Sequence, residues 1–214
     1  MALQEPHFLY SVLKNGYIGS KGKNSMLYPR ALCDRGYFPS FTIQKMAIRE
    51  IITLPHPVLR QQAEEITLFD DDLKKLAQDM GETMYAAPGV GLAANQIGIT
   101  KRIVVVDISE NDDEKKFITL VNPVISNGEG SVIDEEGCLS VLEYQAKVKR
   151  FQKIHVTAQN IDGTPMEFDA EDRFARIIQH EVDHLDGALF IDHLSSLKRA
   201  MYKKKLKKIL QREG

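Results

Sequence analysis

Apolar residues recur every three or four positions in three stretches of the chain, and this spacing predicts three helices. The first stretch opens with the acidic run Asp70–Asp72, which suits the positive N-terminus of a helix. The second has Asp169 as a predicted N-cap and Gly187 in the position of a glycine that ends a helix. The predicted helices cover residues 70–87, 170–186 and 195–212.

Short apolar or alternating runs between the helices predict strands. Turn signals such as Asn127-Gly128 and Asp162-Gly163-Thr164 separate them, and residues 88–91 are predicted to form a turn or loop. Because helices interrupt an antiparallel run of strands, the predicted fold class is α+β, with antiparallel strands packed around a central helix and a further helix at the C-terminus. The predicted strands cover residues 48–54, 102–108, 117–121, 132–133, 146–148, 154–158 and 166–168.

The first 45 residues lack any such period, because glycine and proline recur throughout them. They carry a modest excess of positive charge and no compact apolar segment of the kind found in secretory signals. We therefore expect residues 1–45 to be a poorly ordered extension, with an organelle-targeting leader as the alternative. Regular patterning begins after Met46, so the predicted catalytic domain covers residues 46–214.

Composition is that of an ordinary globular protein, with 214 residues, 43% apolar and 27% charged. A formal net charge of -2 gives no overall attraction to DNA or to an anionic membrane. Apolar runs such as 103–106 are far too short to span a bilayer. The two cysteines, Cys33 and Cys138, are far apart, which favours separate thiols in a reducing compartment, and we expect the protein to be cytoplasmic.

The pattern His-Glu-x-x-His occurs once on a predicted helix, at His180, Glu181 and His184. Residues four apart lie on the same helix face, so the two imidazoles can bind one cation. Glu181 is next to the first histidine and can act on a water molecule at the metal without being a ligand. The sequence therefore predicts a metal site on this helix.

A catalytic metal site commonly has three protein ligands and one open position. A third histidine six residues after His184 is the choice of one class of metalloproteases, but Phe190 occupies that position, and His193 comes three residues too late. The third ligand is therefore expected upstream, where Cys138 follows Gly137 at the predicted edge of a strand. An inert buried cysteine is the alternative.

Three segments, taken in order, resemble the signature motifs of peptide deformylases. The resemblance covers the chain from Met46 to the C-terminal helix and implies removal of the formyl group from the N-terminal formyl-methionine of nascent polypeptides. The segments read Gly89-Val90-Gly91-Leu92-Ala93-Ala94-Asn95-Gln96, Glu136-Gly137-Cys138-Leu139-Ser140 and Gln179-His180-Glu181-Val182-Asp183-His184-Leu185-Asp186-Gly187.

By this resemblance, Cys138, His180 and His184 bind one divalent metal ion. Fe²⁺ is the ion that the family typically prefers, and Zn²⁺, Ni²⁺ or Co²⁺ are alternatives because sulfur and imidazole ligands accept all of them. Glu181 is implied as general base and acid. Such a carboxylate takes a proton from the attacking water and passes it to the leaving amine.

The resemblance also implies that the Gln96 side chain and the Leu139 backbone N–H stabilise the oxyanion. One such donor is worth about 3 kcal/mol of the barrier. Leu139 directly follows the proposed cysteine ligand, so chain geometry alone brings its amide close to the metal.

The substrate peptide is expected to bind beside the small residues of the first motif, where Gly91 lets a backbone approach as an added strand. Val90 and Ile177 are candidates for the methionine pocket, although core packing is an equal explanation of their apolar side chains. Two positions depart from the family pattern. Leu142 stands where a proline is common, and Gln145 stands near the place of a substrate-contacting arginine.

Arg150 is a candidate charge partner for Asp183 or Glu136, which would orient the ligands from outside the metal site. The last predicted helix, 195–212, carries a dense group of lysines and arginines. In a deformylase-like protein such a helix indicates contact with ribosomal RNA, and a solvated helix end is the alternative.

Two other functions remain open from the sequence. A metallopeptidase with an internal amide as substrate would share the metal chemistry, but the missing downstream ligand and the presence of Cys138 argue against it. A structural metal site would usually be closed by four protein ligands, and it would have no use for Glu181.

Overall fold

A computed structural model of the chain describes residues 47–109, 111 and 114–213. Three α-helices lie in these ranges, and none of them combines the length and apolar character needed to cross a membrane. The predictions for residues 1–45, including Cys33, lie outside the described residues. The helices are α1 (Asp71–Ala86), α2 (Asp172–Leu185) and α3 (Ser196–Glu213).

Seven strands in the described ranges form two antiparallel sheets, which confirms the α+β class. Five strands form the main sheet in the order β1-β2-β3-β6-β7, and β4 with β5 forms a separate hairpin. The strands are β1 (Gly91–Ala93), β2 (Ile103–Asp107), β3 (Phe117–Glu129), β4 (Val132–Cys138), β5 (Val141–Arg150), β6 (Lys153–Gln159) and β7 (Pro165–Glu171).

Strand β2 is apolar at successive positions because the main sheet is covered on both faces. Alternate side chains of a strand point to opposite sides. Ile103 and Val105 belong to the core cluster built with α1, whereas Val104 and Val106 pack with α2. An uninterrupted apolar run is the sequence pattern of such a doubly covered strand.

The β4–β5 hairpin has its own apolar core, formed with α3 and the short 3₁₀ helix Phe190–His193. Val141 and Val148 from the hairpin are buried there with Tyr202 and Leu206 from α3. The ring of Tyr144 lies 4.8 Å from that of Tyr202, centroid to centroid. The C-terminal helix therefore supports the hairpin, while α2 lies between the hairpin and the main sheet.

The prediction of a strand over 48–54 is wrong. The segment is extended, but its amides bond to carbonyl groups of separate elements rather than to one neighbouring strand. Ile52 N–H donates to the Gln96 carbonyl at 2.7 Å, and Leu54 N–H donates to the Ser140 carbonyl at 2.9 Å. The apolar side chains of the segment pack between other elements, and their spacing along the chain resembles that of a strand.

The start of this segment is fixed to α1 through Asp79, whose carboxylate is fully buried. It accepts hydrogen bonds from the backbone N–H of Ala47 and the Arg49 guanidinium, and Lys75 lies 3.5 Å away. Burial alone would raise the pKa of Asp79, but these hydrogen bonds and positive charges outweigh it and lower the pKa below its ordinary value. The carboxylate is therefore ionised in the fold.

The predicted start of α2 is two residues early. Asp169 belongs to β7 and does not cap the helix, because its carboxylate bonds to His155 and Lys153 on β6 instead. Glu171 is the N-cap residue, and α2 begins at Asp172. At the other end Gly187 has the predicted left-handed conformation, with φ of 73°.

Strand β3 of the main sheet is longer than the predicted strand 117–121. Asn127 and Gly128 lie inside β3 rather than in a turn. Asn127 has φ of 49°, and the β3–β6 register shifts between Ser126 and Glu129, so the pair forms an irregularity within the strand. Gly130, with φ of 63°, directly follows β3 at the point where the chain turns.

Candidate metal centre and substrate cleft

Helix α2 presents His180 and His184 on the same side, as the four-residue spacing predicts. The opposite side carries Ile178 and Leu185, which are completely buried in the apolar cores. These contacts hold the helix firmly against the main sheet. The strongly amphipathic sequence of α2 therefore fixes the orientation of both imidazoles.

The hairpin brings Cys138 to the two histidines. Cys138 is the last residue of β4 and pairs with Val141 across the turn. Its Sγ atom lies 3.1 Å from Nε2 of His184, and one ligand atom from each of Cys138, His180 and His184 lies within 4.8 Å of the others. Donors bound to one tetrahedral metal through bonds of about 2.0–2.3 Å must converge in this way. The three residues can therefore hold a single metal ion.

A chain of polar contacts behind His180 fixes its ring. His180 Nδ1–H donates to Glu136 Oε2 at 2.9 Å, and Arg150 donates to both oxygens of Glu136 at 2.8 and 3.0 Å. Arg150 also donates to Asp183 at 2.6 Å, and His193 lies 2.7 Å from the same carboxylate. Arg150 thus contacts both partners proposed for it. It connects the hairpin to α2.

These contacts determine which nitrogen of each histidine is available. Burial raises the pKa of Glu136, but the hydrogen bonds and charges of His180 and Arg150 outweigh it and lower the pKa to about 2. An ionised Glu136 keeps the proton of His180 on Nδ1 and leaves Nε2 facing Cys138. Burial lowers the pKa of His184 well below its usual value, which favours the neutral ring that metals bind.

Glu181 lies beside the three donors and is only 4% exposed. Its Oε2 atom is buried and has no hydrogen-bond partner among the described residues. Burial raises the pKa of Glu181 to about 7, in the range where a carboxyl group can both accept and release a proton. A bound cation would add positive charge beside it and favour its ionised form.

Gln96 is fixed so that its amide nitrogen faces the same space. Its Oε1 accepts a hydrogen bond from Ala93 N–H at 2.9 Å, so Nε2 must point the other way. Nε2 lies 3.3 Å from Ser140 Oγ and 3.7 Å from Cys138 Sγ. A planar NH₂ group held between these atoms can donate a hydrogen bond to a substrate oxygen that lies near Cys138, His180 and His184.

A cleft of about 730 Å³ opens over this site. Such a volume lies in the range of sites that bind small molecules, roughly 300–1,000 Å³. Cys138, His180 and Glu181 line the cleft, whereas His184 is fully buried behind them. The predicted residues that line the cleft are Val90, Gly91, Gln96, Cys138, Leu139, Gln145, Ile177, His180 and Glu181.

Some residues of the site were not predicted from the sequence. Phe190 stacks near His180, with ring centroids 6.1 Å apart and an angle of 24° between the rings. His193, too late in sequence to be a ligand, instead completes the contacts of Asp183. Arg173 lines the cleft, and its position four residues before Ile177 was the available signal, because residues at this spacing share a helix face.

Cys138, His180 and His184 would supply three protein ligands to a metal ion, whereas a structural metal site is usually closed by a fourth. The buried Glu181 carboxylate and the Gln96 amide line the cleft beside them. This arrangement, in an α+β fold with antiparallel sheets, is typical of a metal-dependent hydrolase.

The family model described as polypeptide deformylase matches residues 48–200, and the chain belongs to this family. The peptide deformylase of Desulfotalea psychrophila is 56% identical over 164 residues, which cover 76% of this chain and 97% of that protein. The peptide deformylase of Acidobacterium capsulatum is 50% identical over 171 residues, 79% of this chain and 99% of that protein.

A solved structure shows that the fold is also similar to that of a peptide deformylase. The crystal structure of a peptide deformylase from Legionella pneumophila matches with a TM-score of 0.72 and 45% sequence identity, covering 78% of this chain and 98% of that chain. Metal-dependent deformylation of nascent peptides is the known function of the family, whose members are enzymes. The resemblance noted in the sequence motifs is thereby confirmed.

Proposed function

We propose that this chain removes the formyl group from N-terminal formyl-methionine with Cys138, His180 and His184 as the ligands of one divalent metal ion. The observation that carries the proposal is the convergence of these donors, within 4.8 Å, beside a buried carboxylate at an open cleft. When bound, the cation supplies Lewis-acid polarisation of the formyl oxygen and lowers the pKa of a water molecule beside it. The remaining chemistry belongs to the protein's own side chains.

Glu181 is the proposed general base and acid. Its carboxylate accepts a proton from the attacking water while the water oxygen bonds to the formyl carbon. The same carboxyl group then delivers that proton to the nitrogen of the leaving amine as the carbon–nitrogen bond breaks. Formate and a free amino terminus result. The absence of hydrogen-bond partners for Oε2 among the described residues supports this role, because the atom is free to act on substrate and water.

Gln96 and Leu139 are the proposed donors to the oxygen that gains negative charge. The Gln96 NH₂ group is aimed at this space by the hydrogen bond between its Oε1 and Ala93 N–H. Leu139 directly follows Cys138 in the turn of the hairpin and lines the cleft. Donors that are fixed before the reaction need no reorganisation as the charge develops.

Gly91, Val90 and Ile177 are the proposed substrate-binding residues. Gly91 begins an edge strand of the main sheet, since β2 is the one strand that pairs with β1 among the described residues. A peptide backbone can therefore approach β1 as an added strand. Val90 is 37% exposed, and Ile177 lies across the cleft on α2, so apolar surface is available for the methionine side chain.

We propose Fe²⁺ as the native metal, with Zn²⁺, Ni²⁺ and Co²⁺ as ions that the same site accepts. One thiolate and two imidazoles bind all four ions, so availability in the cell decides as much as affinity. Metal content measured after growth in defined media, together with activity after reconstitution with each ion, tests this choice. Highest activity with an ion other than Fe²⁺ would argue against it.

The central experiment measures formate release from a formyl-Met peptide by protein purified anaerobically with Fe²⁺. Glu181→Gln should lower kcat by at least about 100-fold and keep the metal, because general acid–base catalysis is worth 10²–10⁴-fold. Cys138→Ala should lose the metal as well as activity. The acetyl-Met peptide is the matched control substrate. No formate release by a fully metal-loaded wild type would refute the proposal.

The basic face of α3 is the proposed contact to the ribosome, in the region 195–212. Lys198, Lys203, Lys204, Lys207 and Lys208 are exposed there. Cations arranged along one helix attract RNA phosphates through a salt-dependent interaction. Co-sedimentation with ribosomes should weaken when these lysines are replaced by glutamine, and unchanged co-sedimentation would contradict the proposal.

We further propose that residues 46–214 form the catalytic domain and that the protein works in the cytoplasm, where formylated nascent chains emerge. The family match begins at residue 48, which supports this boundary. Residues 1–45 are then an extension that the reaction does not use. Full activity of a chain that begins at Met46 would agree with this division, and inactive but folded protein would contradict it.

A further inference from the structure

We propose that Arg173 selects substrates with an acidic side chain at the third residue, counted from the formyl-methionine. The inference rests on the proposed function and concerns the outer part of the same cleft. Arg173 is exposed and lines the cleft. It forms no ion pair with any residue in the part of the chain that the structure describes, although its charge acts at longer range on Asp107.

The other cations near the cleft are engaged. The Arg176 guanidinium is paired with Asp134 on β4. Lys205 on α3 lies 3.8 Å from the Glu143 carboxylate and also donates to the Glu143 carbonyl. Among the described residues that line the cleft, Arg173 is therefore the cation without an ion-pair partner, and it can bind an acidic ligand.

The direction of the cleft follows from its lining. The α2 residues that line it are Arg173, Arg176, Ile177, His180 and Glu181, and none comes after Glu181. The cleft therefore runs from the metal site toward the N-terminal end of α2. With a helical rise of 1.5 Å per residue, Arg173 lies about 10 Å along the axis from His180.

An extended peptide of three residues fits this distance. Each extended residue spans about 3.3 Å, so the third residue lies about 7 Å beyond the first, and the long arginine side chain covers the remainder. The cleft volume of about 730 Å³ is large enough for more than one methionine side chain.

Alternation of side chains decides which residue meets Arg173. In an extended strand the first and third side chains point to one side and the second to the other. If methionine packs on Ile177, the third side chain faces α2 as well, where Arg173 lies one helical turn further out. The second side chain faces the hairpin wall, where Glu135 and Glu143 line the cleft. An acidic side chain is therefore favoured at the third residue and not at the second.

Formate release from amidated tetrapeptides tests this inference, because an amidated C-terminus removes a competing carboxylate. The substrates are formyl-Met-Ala-Glu-Ala-NH₂, its Gln counterpart, and the pair with Glu or Gln at the second residue. We expect kcat/KM for Glu to exceed that for Gln by about threefold at the third residue, the size of a solvent-exposed ion pair. No such preference is expected at the second residue. The preference should decrease as salt is raised.

Variants identify the residue responsible. Arg173→Gln should bring the Glu-to-Gln ratio at the third residue to about one, and Arg173→Lys should retain most of the preference because the charge is kept. Lys147→Gln is the matched control, since Lys147 is an exposed cation of β5 that does not line the cleft. It should leave the ratio unchanged.

The outcomes separate the two proposals. If wild type releases formate but Arg173→Gln has the same Glu-to-Gln ratio, the role of Arg173 is refuted and the proposed function stands. If metal-loaded wild type releases formate from none of the peptides, the proposed function fails and the inference fails with it.

Discussion

Replacing Gly91 with alanine tests whether the position of Glu181 matters as the proposed mechanism requires. A Cβ atom at residue 91 would lie 2.3 Å from Oε1 of Glu181 and 2.8 Å from its carboxyl carbon. Ordinary van der Waals contact begins at 3.4 Å, so the carboxylate must move by 3.4 − 2.3 = 1.1 Å. Glu181 is buried, so it cannot simply turn into solvent.

The expected loss of activity follows from this displacement. A shift of about 1 Å in a catalytic group costs on the order of 100-fold in rate. We therefore expect kcat/KM of Gly91→Ala to fall by about 100-fold, with the metal retained. The strand itself tolerates alanine, because the φ of Gly91 is not in the left-handed region. Overpacking should cost about 1–3 kcal/mol of unfolding free energy, so circular dichroism and urea unfolding must show a folded protein.

Two comparisons separate the displacement of Glu181 from a general effect on the cleft. Gly89→Ala changes a second glycine of the same motif, but its Cβ would meet the flexible end of Leu139 at 3.1 Å, the Met84 carbonyl oxygen at 3.3 Å and the Met84 side chain at 3.4 Å. It should cost much less activity. In the Glu181→Asp variant the side chain at residue 181 is shorter and avoids the new Cβ atom. Gly91→Ala should therefore lower kcat/KM by a smaller factor in that variant than in the wild type. Equal losses in both backgrounds would refute the reasoning.

Three further predictions concern the surroundings of the site and the stability of the fold. Glu136→Gln should weaken metal affinity about 10–100-fold in a metal titration, because His180 loses its charged hydrogen-bond acceptor; unchanged affinity would contradict this. Gly187→Ala should lower the free energy of unfolding by about 1–3 kcal/mol in urea, because φ is 73° and the new Cβ would lie 2.7 Å from the Arg60 carbonyl oxygen. The pKa of Asp79 is lowered in the fold, so its contribution to stability is present above its ordinary value of 3.8 and is lost as pH falls through the folded pKa. The stability difference between wild type and Asp79→Asn should accordingly be largest near neutral pH and shrink below about pH 4, and a difference independent of pH would be inconsistent with it.

Local patterns predicted the parts of the molecule that depend on local chemistry. The acidic run at Asp70 does begin a helix, since the Asp70 side chain accepts a hydrogen bond from Leu73 N–H. Gly187 does take the left-handed conformation after α2. The spacing of His180 and His184 did place both rings on one side of α2, because helix geometry fixes that relation without help from the rest of the fold.

Features that depend on contacts between distant segments were predicted poorly. Residues 48–54 have the pattern of a strand, but their partners are single carbonyl groups more than 40 residues away in sequence. Asp169 is a good N-cap residue, yet pairing between β6 and β7 gives it other partners. Cys138 could be joined to the histidines from the sequence only through the resemblance, since no local rule relates the end of a hairpin to a helix face.

The extended segment 48–54 provides a natural probe of the site. Its Ile52 and Leu54 amides are bonded to the carbonyl groups of Gln96 and Ser140, one on each of two motifs that face the cleft. Amide hydrogen exchange at Ile52 and Leu54 therefore reports when these motifs separate. If both amides exchange at the same rate, the two motifs open as one cooperative unit. If the Leu54 amide exchanges faster, the hairpin that carries Cys138 moves independently of the main sheet.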